Sequence, residues 1–246
     1  FDTFGSRSLE EIYGACLKKG TVVEVNTLAH MVFLNRGDRF EARQMPAEAQ
    51  FAPVFGLNVA DFNGDGNEDV FVAQNFFASQ IETPRSDGGR GLLMLGDGQG
   101  GLKPMPGDRA GLSIYGEQRG SAVGDFDADG RADLVVTQNG TRTRLFRNAL
   151  AKPGLRVHLD AGDGNPTGVG AIAQLRFGGD KLGPARVVTA GSGYWSQDSA
   201  TLILAIPARP THIMVRWPGG NTTSTQLPED TMEITVNTKG KLTATK

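Results

Sequence analysis

Cysteine is almost absent from this chain. Cys16 is the only one in 246 residues, so no intrachain disulfide can form and a thiol-based function is a poor expectation. Histidine is equally sparse: His30, His158 and His212 are far apart, and none has the spacing of a zinc ligand set. No apolar run is long enough to cross a membrane, and no basic stretch followed by an apolar core opens the chain, so membrane insertion is not expected. Neither sign of charge dominates. The 25 basic and 27 acidic residues are interspersed and leave a formal net charge of −2, which gives no footprint for nucleic acid. A Gly-x-Ser-x-Gly elbow and a phosphate-binding loop are both missing, so the common nucleophile and nucleotide signatures are excluded.

What the chain does have is glycine, 34 of them, and a repeated acidic loop. Asp61-Phe62-Asn63-Gly64-Asp65-Gly66-Asn67-Glu68-Asp69 returns 64 residues later as Asp125-Phe126-Asp127-Ala128-Asp129-Gly130-Arg131-Ala132-Asp133. Side-chain oxygens fall at positions 1, 3, 5 and 9, and a glycine at position 6 permits the turn that would gather them around one cation. Position 7, Asn67 or Arg131, would contribute its backbone carbonyl, leaving the arginine side chain free to point to solvent. Two calcium sites are therefore expected: Asp61, Asn63, Asp65, Asn67 and Asp69, then Asp125, Asp127, Asp129, Arg131 and Asp133. The second, with four carboxylates against three, should bind more tightly, both being of the weak class near about 0.1–1 mM. An EF-hand would need a bidentate Glu at position 12, where Val72 and Val136 stand instead. Short β-branched runs follow each loop, so the motif reads as loop then strand. Asp/Asn/Gly clusters also form plain turns, but repetition in one register favours ligation.

These residues resemble the FG-GAP/VCBS repeat, in which D-x-[DN]-x-D-G-x-x-D loops bind calcium between the strands of a propeller blade. Gly56-Leu57-Asn58-Val59-Ala60 matches Gly120-Ser121-Ala122-Val123-Gly124, and both following strands end in Gln-Asn, at Gln74-Asn75 and Gln138-Asn139. Gly168-Val169-Gly170-Ala171, Gly191 to Ser199, and Val215-Arg216-Trp217-Pro218-Gly219-Gly220 resemble the ASPIC/UnbV domain, which follows such repeats in the cartilage acidic protein-like family. The resemblance implies an all-β fold: a partial β-propeller of FG-GAP/VCBS blades over 1–150, carrying an N-terminal helical insertion, and an ASPIC/UnbV-like domain over 151–246. Two acidic loops cannot close a ring of four to eight blades. The chain also starts with Phe1, so the remainder of a longer chain is expected to complete the propeller.

Ser8-Leu9-Glu10-Glu11 has the spacing of a capping box and predicts a helix carrying Leu9, Ile12, Tyr13, Cys16 and Leu17 on one face, stopped by Gly20. Strands are expected at Thr21 to Val25 and Met31 to Leu34. Arg36-Gly37-Asp38 falls where a hairpin turn is expected, and turn chemistry explains it without a receptor. Beyond Pro153 the alternation is clean, with Leu155/Val157/Leu159, Ala173/Leu175/Phe177, Ile213/Val215/Trp217 and Met232/Ile234/Val236 each facing one way. Such strands make a small antiparallel β-sandwich or barrel.

Tyr194 and Trp195, with Gln197 and Asp198, form a candidate ligand platform; the alternative is that the glycines allow a bulge and Trp195 caps the sandwich core. The expected function is a non-catalytic, calcium-binding binding or adhesion module in an extracellular, cell-surface or periplasmic setting, with a protein or glycan partner. The rival reading is the accessory or catalytic part of an extracellular polysaccharide-active enzyme, whose sign would be an acidic pair in a cleft away from the metal loops. A structural stalk is the third reading.

Overall fold

The computed structural model describes residues 2–77 and 80–245. Two compact units are present, residues 1–30 and residues 31–246.

In the first unit, α1 (Asp2–Ser6) is followed by α2 (Leu9–Tyr13) and a 3-10 turn, Gly14–Lys19. The capping box forms in full: the Glu11 amide donates to Ser8 Oγ at 3.3 Å and the Ser8 amide to the Glu11 carboxylate at 2.7 Å. The helix is shorter than its apolar spacing suggests, because Gly14 takes a φ of +50° and the chain tightens into the 3-10 turn. Thr21 to Val25 forms no strand. Among the described residues of the unit there is no strand to pair with its amides and carbonyls, and β propensity alone cannot supply one.

The regular structure of the second unit is mostly strand, and the chain as described is 39% strand against 10% helix, an all-β composition. β1 (Met31–Asn35) and β2 (Phe40–Gln44) form a hairpin whose turn contains Arg36-Gly37-Asp38 with Gly37 at φ +89°. Two meanders follow: β3 (Val54–Ala60), β4 (Asp69–Gln74), β5 (Leu92–Gly96) and β6 (Leu102–Pro104), then, after α3 (Gly107–Ala110), β7 (Glu117–Gly124), β8 (Asp133–Asn139) and β9 (Arg144–Phe146). Their registers repeat. Val59 opposes Val70 and Leu57 opposes Val72 in the first, as Val123 opposes Leu134 and Ser121 opposes Val136 in the second. Each acidic loop is thus the β3–β4 or β7–β8 connection. Phe71, Ala73 and Leu93 from one sheet and Leu134 and Val136 from the other share a core with Leu112 and Ile114, so the sheets are packed like neighbouring blades.

The remaining strands are β10 (Leu155–Asp160), β11 (Ile172–Phe177), β12 (Leu182–Val187), β13 (Leu202–Leu204), β14 (Pro210–Arg216), β15 (Thr222–Gln226), β16 (Glu233–Asn237) and β17 (Leu242–Thr245). They make two four-stranded sheets, ordered β13-β10-β16-β17 and β12-β11-β14-β15. Leu155, Val157, Leu175, Ile213, Val215, Trp217, Ile234 and Val236 fill the space between them. The alternation identified the inward faces of β10, β11, β14 and β16; Met232, just ahead of β16, is exposed instead. One pair departs from the antiparallel expectation: β10 and β16 run parallel, with Val157 opposite Ile234. The four sheets of three and four strands are together arranged like a propeller.

Candidate functional site

Both acidic loops close by the same set of hydrogen bonds. The Phe62 amide donates to Asp69 Oδ2 at 2.9 Å, and the Phe126 amide to Asp133 Oδ2 at 2.8 Å. The other oxygen of each aspartate is held from outside the loop, Asp69 Oδ1 by the Gly96 amide at 2.9 Å and Asp133 Oδ1 by the Asn148 amide at 2.7 Å. Position 1 caps the turn: Asp61 accepts from the amides of Gly64 and Gly66 at 2.6 and 2.7 Å, and Asp125 from those of Asp129 and Gly130 at 3.0 and 2.8 Å. Gly66 and Gly130 sit at φ +92° and +81°, as the motif requires. Position 4 is also left-handed, Gly64 at +76° and Ala128 at +61°, a strain that the alanine bears without help from a missing Cβ.

The loops then diverge. In the second, one carboxylate oxygen each from Asp125, Asp127 and Asp133 lie within 4.8 Å of one another, a group able to hold a metal ion. Among the described residues, Asp61, Asp65 and Asp69 make no such group. Asp65 turns outward instead, accepting from the Asn63 side-chain amide at 3.0 Å and the Asn67 amide at 2.7 Å. Burial pushes the Asp69 carboxyl up to about 6 against the pull of the Gly96 and Phe62 amides.

Arginines account for much of the difference. Arg131 does not point to solvent. Its guanidinium donates to Asp129 Oδ2 and to the Ala151 carbonyl, both at 2.6 Å, because the carbonyl of the chain crossing beneath the loop lies within its reach. That pulls Asp129 out of the carboxylate group. Burial pushes the Asp129 carboxyl up, but Arg131 and then Arg147 outweigh it and hold the group below its ordinary value. Arg147 pairs with Asp127, and Arg156, reaching over from β10, pairs with Asp125. Four carboxylates therefore face three guanidinium groups, Arg131 from the loop itself and Arg147 and Arg156 from outside its nine residues, so the greater charge expected of the second loop is largely offset. The first loop has one such neighbour: Arg186, on β12, holds Glu68 at 2.6 Å and donates to the Val59 carbonyl. Burial nevertheless raises the Glu68 carboxyl above its ordinary value.

Asn148 is a further residue that the motif did not reveal. Beyond its amide bond to Asp133, its side chain donates to the carbonyls of Phe62 at 2.8 Å and Ala132 at 3.2 Å, stapling the two loops together. Both loops also press on the segment that leads into β10. A Cβ on Gly64 would meet the Lys152 backbone and one on Gly130 would meet the Gly154 carbonyl. The carboxylate group thus sits where blade and sandwich touch.

A cleft of about 970 Å³ opens beside the first loop, between the tip of β5–β6 and the turn from β11 to β12. Its acids are Asp65 and Glu68, both from the loop and both already bonded as described.

The aromatic candidates are placed differently from one another. Trp195 is 89% exposed, whereas Trp217 is 3% exposed and fills the sandwich core, so capping of that core by Trp195 is ruled out. Trp195 holds φ at +50°, which costs a bulky residue about 1–2 kcal/mol. Tyr194 stacks on it with centroids 5.8 Å apart and planes 14° from parallel. Gln197 is exposed. Asp198 faces inward: its Oδ1 accepts from the Val123 amide at 2.7 Å and from Asn58 at 3.1 Å, so it anchors the loop to the blades and is not presented to a ligand. Burial raises its carboxyl above the ordinary 3.8, with Val123 opposing. The stability this group contributes is present below its unfolded value and is lost as pH rises through the shifted value. Asp198→Asn should therefore gain on the unmodified chain across that window; urea melts at pH 4 to 8 in which the difference between the two stays constant would refute the burial argument.

No curated protein matches the chain. Residues 161–242, from just after β10 to the first residue of β17, match the family model described as ASPIC and UnbV, so this part of the sandwich carries an ASPIC and UnbV domain.

Proposed function

We propose that this chain is a non-catalytic binding module of an extracellular, cell-surface or periplasmic protein, in which calcium at the second acidic loop fixes the blade against the ASPIC and UnbV domain. The convergence of Asp125, Asp127 and Asp133 within 4.8 Å carries this reading. The donors are all oxygens, which suits a hard cation, and calcium tolerates an irregular shell completed by backbone carbonyls and water. The first loop closes on its own amides and is proposed as a turn that mirrors the second without needing metal. The cleft beside it offers acids that are already bonded to Arg186 or to backbone, which supports a binding role over a hydrolytic one.

Calorimetric titration of chelator-stripped protein should show a single saturable calcium site, abolished in Asp127→Ala. Asp127 is the right position to change because it is exposed and takes no part in the buried pair at Asp125. Saturating calcium at 100 times Kd should add about 2.7 kcal/mol to the unmodified chain. No heat of binding, or binding that survives Asp127→Ala, would overturn the reading.

A further inference from the structure

We propose that Trp195 is the contact face of a binding site for a neutral polysaccharide; the proposal deepens the binding-module reading and rests on it. Trp195 is the outer end of a continuous row of aromatic rings. Tyr194 stacks beneath it, Phe55 meets Tyr194 edge-on at 5.9 Å, and Phe76 lies 5.9 Å beyond Phe55. The Arg119 guanidinium closes the row, 4.1 Å from the Phe55 centroid, and is paired with Glu117. The row therefore presents an apolar face without net charge.

The face is held in place. The Ser192 amide donates to the Ser196 carbonyl at 2.9 Å, Ser196 Oγ to the Tyr194 carbonyl at 2.9 Å, and Asp198 locks the loop to β3 and β7. Gly120 of β7 lets the loop lie close, since a Cβ there would meet the Trp195 carbonyl at 3.1 Å. A left-handed tryptophan that is nine-tenths exposed has little beyond its stacking on Tyr194 to offset its backbone strain. Strain of that kind, rigidly supported and pointed at solvent, is the mark of a contact residue.

The size of the face selects the occupant. Two rings offer at most a few hundred Å², well under the roughly 800 Å² per partner of a stable protein interface. One indole face matches one pyranose ring, whose axial C–H groups lie flat on it, and the exposed Gln197 amide is available to a sugar hydroxyl. A cationic ligand would meet Arg119 behind the rings, and an anionic one would meet no unpaired base there. A neutral chain of hexose or pentose units remains.

The test uses the full chain with cellohexaose, xylohexaose, mannohexaose and laminarihexaose, in calcium and again in chelator. Only two tryptophans are present, and Trp217 is buried, so acrylamide quenching reports Trp195 almost alone. At least one hexaose should protect that fluorescence with saturation, at least tenfold more weakly in Trp195→Gly. Glycine also relieves the strain at φ +50°, so that variant should melt no lower than the unmodified chain. Quenching unchanged by all four sugars, or equal binding by Trp195→Gly, would overturn the proposal, and so would a lowered melting temperature in that variant, which would make the ring a structural support. Calcium is measured separately by calorimetry. Loss of the sugar response with calcium binding intact removes this inference alone, and a sugar response without calcium binding removes the metal reading alone.

Discussion

Asp125→Ala is expected to lower folding stability by about 3–4 kcal/mol, more than any other single change in either acidic loop. The side chain of Asp125 is 1% exposed, and Arg156, at 14%, reaches it from the sandwich. Removing the carboxylate leaves that buried guanidinium with a 3.5 Å approach to Glu233 as its remaining ion pair, and it strips the acceptor from the Asp129 and Gly130 amides. Asp61→Ala provides the comparison. It removes the acceptor from the Gly64, Asp65 and Gly66 amides but orphans no arginine, so about 2 kcal/mol is expected. Urea melts of both variants measure the difference, which belongs to the pair between blade and sandwich. Arg156→Leu added to Asp125→Ala should restore part of the loss, because the unpaired cation is then gone. Equal losses at Asp61 and Asp125, or no recovery in the double variant, would mean that the arginine contributes nothing to holding the two parts together.

The same contrast explains what was legible in the sequence. The loop residues, their 64-residue repeat and the strands on either side follow from local rules of spacing, and the structure reproduces them down to the shared amide bonds at Phe62 and Phe126. The chemistry of each loop was not local. Arg147 and Arg156 come from well beyond the second loop in sequence, and Arg186 stands 118 residues beyond Glu68. Counting carboxylates inside nine residues therefore overestimated the free charge of the second loop. Strand direction was hidden for a related reason. Alternation tells which side of Val157 and Ile234 faces the core, but inward residues alternate identically in parallel and antiparallel pairs, so the β10–β16 pairing left no trace. The two tryptophans show where a pattern helps. Trp217 continues the alternation of Ile213 and Val215 and could be read as core, while Trp195 follows Gly191 and Gly193 outside any period, and only the fold reveals that it is exposed.

Gly96→Ala should be the most damaging small change in the blades, lowering stability by about 3 kcal/mol or more. A Cβ at Gly96 would overlap the Glu68 carbonyl oxygen and press on its carbon at 3.1 Å. These are backbone atoms, so no side-chain rotation relieves the contact and the chain itself must move. The movement has a second cost. The Gly96 amide is one of the donors that hold the fully buried Asp69 carboxyl, which burial has already pushed up to about 6. Displacing β5 weakens that bond and leaves Asp69 with the Phe62 amide, in a loop that has no convergent carboxylate group to be drawn together by a cation. Gly140→Ala separates the causes. Gly140 has φ +73° with open space around it, so it reports backbone strain alone, expected at about 1 kcal/mol. Thermal melts of the two variants should differ by several degrees, with Gly96→Ala the lower. The calcium site at Asp125, Asp127 and Asp133 should survive in both, because neither glycine touches it. If the two variants melt together, the close approach of β5 to the first loop does not support the blade. If Gly96→Ala also abolishes calcium binding, the loops are energetically one unit joined through Asn148, and the first loop's lack of a metal group is then a difference of geometry without independence of folding.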